Sequence, residues 1–138
     1  DIRHALWQLA FQFMVSTKHA IRDYGLPLNG MHVRALHLIR SQADCTANRL
    51  ATITGRDKAQ ITRTIKELEA MALITRIPHP SDKRSQIIRL SEQGSELMAR
   101  TVAAEKDVEK RLLKGMSKQE VSTFVSMAHK MLDNLRKT

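Results

Sequence analysis

The feature that most constrains this sequence is a change in the spacing of its apolar residues near Leu73. Before that point, Ile61, Ile65 and Leu68 recur every three or four residues, which is the spacing of a helix with one buried face. After it come two short stretches rich in β-branched residues, which flank a polar loop and predict a β-hairpin: Ile74–Ile77 and Gln86–Leu90. The chain therefore places an amphipathic helix directly before a hairpin.

The loop of this hairpin, Pro78–Ser85, is longer than a reversal of the chain requires, and it is basic at its far end. Such a loop projects from the fold. A shorter helix precedes the amphipathic one, because Thr46 can cap it and Gly55 can end it after about two turns. Asp57 can then cap the amphipathic helix, with Gln60 completing a capping box. Two short helices joined by a tight turn and followed by a projecting hairpin predict a winged helix-turn-helix.

Further helices surround this unit. The first begins near Ile2 and ends before Tyr24–Pro27, where a glycine and a proline stop it. Another helix, capped by Asn29, leads into the winged unit, and two long helices follow it, capped by Ser91 and Ser117. We therefore predict a mainly α fold, with about six helices and a two-stranded β-hairpin wing.

The distribution of charge indicates a polyanionic partner. The chain has a formal net charge of +9, and residues 49–89 contain nine Lys and Arg against four Asp and Glu. More than half of the excess therefore lies in less than a third of the chain, on the winged unit. Nucleic acid, an anionic membrane surface and an acidic protein all fit such a charge, and the winged unit favours double-stranded DNA.

The first, fifth and sixth predicted helices carry apolar stripes that the winged unit does not need for its own core. These stripes have to be buried against one another or against a second copy of the chain. We therefore expect a homodimer built from the two ends of the chain. The predicted organisation is a winged helix-turn-helix DNA-binding region over residues 28–91 and a helical dimerisation region over residues 1–27 and 92–138.

Composition disfavours several other classes of protein. A single cysteine, Cys45, rules out an intrachain disulfide, and no stretch has the roughly 18 consecutive apolar residues of a membrane span. The first ten residues lack a signal-peptide pattern, so we expect a cytoplasmic protein with no membrane partner. The sequence also lacks a Gly-rich phosphate loop, a nucleophile–base pair and a credible carboxylate pair, so an enzyme is not expected.

A set of short motifs lies between Leu50 and Gly94. They are Leu50-Ala51, Ile61–Glu69, Leu73-Ile74, Asp82-Lys83-Arg84 and Leu90–Gly94, and the Asp-x-Arg wing followed by Leu-Ser-x-x-Gly is the most specific of them. With these motifs, and with matching helices along nearly its whole length, the chain resembles the MarR family of bacterial winged-helix transcriptional regulators. One departure is Ala72, where the family usually has a glycine. This alanine must either stay helical or adopt a strained left-handed conformation.

The resemblance implies a two-fold dimer that binds DNA through its fourth helix and its wing. If the apolar stripe of the fourth helix faces the core, the opposite side carries small, hydroxyl and basic side chains that can approach a major groove: Ala59, Thr62, Arg63 and Lys66. Arg63 can bind a guanine edge through two hydrogen bonds, or it can hold a phosphate. Gln60 can bind adenine or complete the capping box, and these two roles compete.

On the wing, Arg84 is predicted to enter a minor groove, where the enhanced negative potential attracts arginine. Asp82 is predicted to pair with the guanidinium of Arg84 and to hold it in place. The remaining basic residues of the region are predicted to contact phosphates, which position a protein without specifying sequence: Lys83, Arg76, Arg56 and Lys58.

By resemblance, a small aromatic or phenolic effector is expected where the dimer helices meet the winged unit. The candidate lining residues fit ordinary core packing as well: Trp7, Phe11, Met14 and His37. Cys45 lies in a polar loop beside Asp44, whose charge would raise the pKa of the thiol, and this disfavours an oxidant switch. The six histidines show no metal-ligand spacing, and we expect neither a metal nor a cofactor.

The leading hypothesis is a homodimeric, sequence-specific transcriptional regulator, a repressor that leaves its pseudo-palindromic operator when it binds a small ligand. The alternative is a nonspecific architectural DNA-binding protein, which explains the charge but not the small and polar face of the fourth helix. A third hypothesis is a protein-interaction module that uses its terminal helices alone.

Overall fold

A computed structural model describes residues 1–137, which form six helices and one two-stranded antiparallel sheet. The order of the elements is α1 (Ile2–Asp23), α2 (Gly30–Ser41), α3 (Ala47–Thr54), α4 (Lys58–Ala70), β1 (Ile74–Pro78), β2 (Gln86–Leu90), α5 (Glu92–Leu112) and α6 (Lys118–Arg136). The predicted mainly α, winged helix-turn-helix fold is confirmed.

The helices begin where the sequence predicts, because each has a side chain that satisfies its first free amides. Each of five predicted caps accepts a hydrogen bond from the backbone amide three residues later: Asn29, Thr46, Asp57, Ser91 and Ser117. The capping box predicted at the start of α4 forms only by half. Asp57 accepts from the amide of Gln60 at 2.8 Å, but within residues 1–137 the Gln60 side chain makes no return hydrogen bond.

Left-handed residues follow several of the helices. Gly25 and Gly55 have φ values of +71° and +67° after α1 and α3, as the sequence predicts. After α4 the same position is taken by Ala72, with φ of +60°, so the second of its two predicted alternatives is correct. The amide of Leu73 then donates to the carbonyl of Leu68 at 3.0 Å, which closes the end of the helix.

The core of the winged unit brings together α2, α3, α4, the hairpin and the N-terminal half of α5. Its most buried members come from all of these elements: Leu36, Leu50, Ile61, Ile65, Leu68, Ile88 and Met98. The spacing of the apolar residues on α2 and α4 predicts this, because the stripe on each helix is the side that is buried.

The hairpin pairs from Ile74 opposite Leu90 to Pro78 opposite Gln86. The backbone just before α3 is hydrogen-bonded to this sheet, since the amide of Ile88 donates to the carbonyl of Cys45 at 2.7 Å. Cys45 lies in the loop before α3, as predicted, but its side chain is fully buried in the core rather than facing the polar residues around it.

The two terminal helices behave differently. α1 packs along α5, and its end is fixed by Tyr24, whose hydroxyl donates to the carboxylate of Asp107 and whose carbonyl accepts from Arg100 at 2.8 Å. α6, by contrast, contains no buried residue in the single chain. Within residues 1–137, no helix is long and apolar enough to cross a membrane.

Candidate nucleic-acid interface

The exposed side of α4 forms a shallow groove of about 460 Å³. Its lining includes all four residues predicted for the major-groove face, together with two that were not predicted: Ala59, Thr62, Arg63, Lys66, Glu67 and Ala70. The predicted face exists because Ile61, Ile65 and Leu68 are buried on the other side of the helix. The structure therefore brings these four candidates onto one surface.

The cations of this groove are not neutralised. Neither Arg63 nor Lys66 forms an ion pair within residues 1–137, and both side chains are exposed. Gln60 is half-buried beside them, and its amide group is not engaged in the capping box. A face with free guanidinium, ammonium and amide groups beside methyl and hydroxyl groups can hydrogen-bond to base edges and attract phosphates.

A buried histidine behind α4 was not predicted as part of the site. His32 Nδ1 accepts from the backbone amide of Asn29 at 3.2 Å, so the remaining ring proton is assigned to Nε2, which lies 3.4 Å from a carboxylate oxygen of Glu67. This contact joins the start of α2 to the groove-lining acid of α4. Sequence spacing cannot reveal it, because the two residues are 35 positions apart.

The wing loop is held by its own polar side chains. Asp82 Oδ1 accepts from the backbone amide of Arg84 at 3.0 Å, and its Oδ2 accepts from the hydroxyl of Ser85 at 2.9 Å. The hydrogen bonds from the amide of Arg84 and the hydroxyl of Ser85 hold the pKa of Asp82 below its usual range.

The predicted pairing of Asp82 with the guanidinium of Arg84 is therefore wrong. Two residues along a tight turn, the nearest donor to an aspartate is the backbone amide, and Asp82 uses both oxygens for the turn. The ion pairs within residues 1–137 do not include Arg84. Its guanidinium is exposed and free to contact a ligand.

The basic residues predicted to contact phosphates fall into two groups. Lys83 on the wing, Arg56 in the turn before α4 and Lys58 at its first position are exposed, and none forms an ion pair in the part of the chain described. Arg76 differs, because its Nη2 lies 2.5 Å from Glu69 Oε1 and so links β1 to α4. Its guanidinium is already occupied, which the sequence does not indicate because the helix ends between the two residues.

Within residues 1–137, the residues predicted to line an effector site lie on α1 and α2, and they line neither the groove on α4 nor the cavity between α1 and α5. Trp7, Phe11 and Met14 are exposed on α1, Trp7 by 75%. His37 contacts Glu105 on α5, with Nε2 at 2.8 and 3.0 Å from the two carboxylate oxygens. A cavity of about 360 Å³ between α1 and α5 is lined by other residues: Leu9, Gln12, Phe13, Ser16, Val108, Arg111 and Leu112.

Two other sequence expectations concern reactive groups. Burial raises the pKa of the Cys45 thiol, and Arg49 opposes this only in part. The direction agrees with the expectation of an unreactive thiol, but the cause is burial rather than the neighbouring Asp44. Within residues 1–137, no cluster of three or more His, Cys, Asp and Glu could hold a metal ion.

Comparisons with known proteins agree on one family. A family profile described as the MarR family matches residues 24–85. A curated relative, the HTH-type transcriptional regulator BilQ of Clostridioides difficile (strain CD3), is 26% identical over 98 residues, which cover 71% of this chain. The matched region spans 65% of that relative's length.

Solved structures extend the likeness to nearly the whole chain. A MarR/EmrR family transcriptional regulator from Acinetobacter sp. ADP1 is 28% identical, with a TM-score of 0.80 over 99% of this chain and 97% of that one. CouR from Rhodococcus jostii RHA1, bound to p-coumaroyl-CoA, is 25% identical, with a TM-score of 0.81 over 98% and 91%. A mutant MarR from E. coli in complex with operator DNA shares the fold, with a TM-score of 0.74 and 23% identity over 93% and 94%.

Proposed function

Because the chain belongs to the MarR family of winged-helix transcriptional regulators, we propose that it is a homodimeric, sequence-specific repressor that binds a pseudo-palindromic DNA operator. The observation that carries this proposal is the exposed, unneutralised face of α4 in the same folded unit as a wing whose arginine has no partner within residues 1–137.

α4 is the element that reads bases. Ala59 and Thr62 are small enough to let the helix approach a major groove, and their methyl groups can contact a thymine methyl. Arg63 then hydrogen-bonds to a guanine edge or to a phosphate, and Lys66 follows one turn later on the same side. Gln60 is available to adenine, since it does not complete the capping box.

The wing and the turn before α4 contact the DNA backbone and the minor groove. Arg84 enters a minor groove beside the site read by α4. Lys83, Arg56 and Lys58 contact phosphates, and Asp82 contributes by ordering the loop rather than by touching DNA. Arg76 remains with Glu69 and adds little to binding.

The homodimer is supported by the apolar residues that the single chain leaves exposed. α6 exposes six large apolar side chains, between 40% and 74% of each: Phe124, Val125, Met127, Met131, Leu132 and Leu135. α1 exposes several more, and such surfaces on a soluble protein mark an interface. A two-fold pairing of these helices places two copies of α4 about one turn of DNA apart.

Release by a small aromatic acid or thioester is the regulatory part of the proposal. Among the structural neighbours, CouR is bound to p-coumaroyl-CoA, and BpsR from Bordetella bronchiseptica is a protein whose DNA binding is regulated by 6-hydroxynicotinic acid. In this chain, Trp7, Phe11, Met14 and His37 would line such a site only after the dimer has covered α1.

The proposed function is tested by selecting preferred sites from a random duplex pool and measuring the affinity for the winning site. Arg63→Ala and Arg84→Ala should each weaken binding by roughly tenfold to a hundredfold, because each removes a contact worth about 1–3 kcal/mol. Arg84→Ala should act mainly at A/T-rich flanks. Arg22→Ala, which removes the same charge from the end of α1, is the matched control and should bind normally.

Each contrary outcome has a clear meaning. Equal affinity of the wild-type protein for selected and random duplexes would identify a nonspecific coating protein. Failure to bind any duplex at low salt would favour an interaction module. For a DNA-binding protein, log affinity should fall with log salt by about 0.9 for each phosphate contact.

A further inference from the structure

A histidine at the base of the wing loop accepts hydrogen bonds from the loop's own backbone. The Nδ1 atom of His79 lies 3.1 Å from the amide nitrogen of Ser81 and 3.1 Å from that of Asp82. The hydroxyl of Ser81 is 3.3 Å from the same atom. The amide of His79 itself donates across the loop to the carbonyl of Ser85 at 3.3 Å. One imidazole thus gathers two consecutive amides at the point where β1 becomes the loop.

These contacts define the chemical state of the ring. A nitrogen that accepts from two N–H groups carries no proton, so the ring is neutral and its proton is on Nε2. If Nδ1 were protonated, its own N–H would face the N–H groups of Ser81 and Asp82, and the three would repel one another. The turn therefore requires the neutral ring.

The contacts continue from His79 to the tip of the wing. The amide of Asp82 donates to His79, and the carboxylate of Asp82 in turn accepts from the amide of Arg84 and the hydroxyl of Ser85. The backbone position of Arg84 therefore depends on His79 through Asp82. The amide of Ser85 also donates to the carbonyl of Asp82 at 3.1 Å, and residues 80–84 at the tip of the loop are exposed.

We propose that His79 is a positioning residue for DNA binding, whose unprotonated Nδ1 holds the wing loop in the conformation that presents Arg84 to the minor groove. The inference rests on the proposed function. Its physical basis is preorganisation: a loop that is already ordered loses less conformational entropy when it binds.

The test compares two variants of His79 whose side-chain amides differ in length, His79→Asn and His79→Gln. In His79→Asn the side-chain oxygen can lie close to the position of Nδ1, whereas in His79→Gln it lies near that of Nε2. We expect His79→Gln to weaken binding to the selected operator about tenfold, the equivalent of one to two hydrogen bonds. His79→Asn should bind within about threefold of the wild type. Equal affinities of the Gln variant and the wild type would overturn the proposal.

A double-mutant cycle separates positioning from general destabilisation. If His79 acts through the wing arginine, His79→Gln should have no further effect on affinity once Arg84→Ala is present. An undiminished tenfold loss in that background would show that His79 does not act through Arg84.

A measurement without DNA keeps the two proposals distinguishable. Nitrogen-detected NMR of the His79 ring at neutral pH should show an unprotonated Nδ1 and a protonated Nε2, and the reverse tautomer would overturn the proposal. If the wild-type protein binds no duplex, the proposed function fails and the role of His79 fails with it. If the wild type binds and the Gln variant binds equally well, only the role of His79 fails.

Discussion

Gly94 is a position at which this fold leaves no room for a side chain. It lies in the first turn of α5 against the backbone of Leu73, and an added Cβ would lie 2.0 Å from the carbonyl oxygen of that residue. The same carbonyl accepts from the amide of Ser91 at 2.9 Å, so it cannot move without breaking the junction between α4, β2 and α5. The glycine is required here for space rather than for backbone conformation.

Gly94→Ala should therefore lower the free energy of unfolding by about 2–4 kcal/mol, the cost of overpacking against a fixed backbone. The matched control is Gly30→Ala at the first position of α2, where a Cβ meets nothing within 4 Å and which should be neutral or slightly stabilising. Urea unfolding at a single protein concentration measures the free energy of unfolding of both variants. Equal midpoints for Gly94→Ala and the wild type would show that the junction can relax.

At the same scale, the sequence predicts contacts well when they are local and poorly when they are not. The caps of the helices need only three residues, so Asn29 and Ser117 could be identified directly. The links from His32 to Glu67 and from His37 to Glu105 join residues 35 and 68 positions apart, and nothing in their spacing marks them. Asp82 was assigned to the wrong donor, because a sequence motif does not distinguish a backbone amide from a side chain.

At the scale of elements, the end of α4 sets the direction in which the hairpin leaves the helix. Ala72 takes the left-handed conformation that a glycine would take without strain, and the close of the helix and the start of β1 both depend on it. The strain is tolerated because Leu73 and Ile74 are buried immediately afterwards and fix the backbone.

Ala72→Gly should raise the free energy of unfolding by about 0.5–1 kcal/mol, because relief of the left-handed strain exceeds the entropy that glycine adds to the unfolded chain. Ala70→Gly, at the last residue of α4 where the backbone is right-handed, should instead lower the free energy of unfolding by up to about 1 kcal/mol. Thermal or urea unfolding of Ala72→Gly and Ala70→Gly measures the change in stability of each variant. A loss of stability in Ala72→Gly as large as that in Ala70→Gly would contradict the argument.

Element boundaries were predictable because apolar period and capping residues agree along most of the chain. The exception is the backbone hydrogen bond from the amide of Ile88 to the carbonyl of Cys45 at the edge of the hairpin. A single paired residue has no period, so the sequence shows only the polar residues around it. The helical period of the sequence likewise indicates which side chains of α4 share the exposed face, whereas no period marks the Arg76–Glu69 contact across a helix end.

At the scale of the whole molecule, the main feature is the contrast between the buried core and α6, whose apolar side is exposed. The buried residues are drawn from α1 to α5 and the hairpin, whereas α6 contributes none and exposes an apolar side. Within residues 1–137 nothing buries the apolar side of α6, so a second surface is needed to cover it, which is why we propose the dimer.

The double variant Phe124→Glu, Leu132→Glu should therefore separate the proposed dimer into monomers, because it places charges in an apolar interface. Ser126→Glu, on the opposite side of α6 by helical spacing, is the control and should remain dimeric. Sedimentation velocity at micromolar concentrations distinguishes the two. A double variant that stays dimeric, or a wild-type protein that sediments as a monomer, would refute this arrangement.

The position of the last buried residue, Val108, has a consequence for how the molecule is made. A nascent chain that has emerged beyond this residue already holds every buried residue found within residues 1–137, whereas α6 leaves the ribosome later. Each subunit can then fold before it meets a partner. The proposed dimer would form when two folded subunits associate, not when two unfolded chains fold around each other. Pairing in the proposed dimer would obey mass action, so when the protein is scarce, occupancy of the proposed two-fold operator should rise with the square of its copy number.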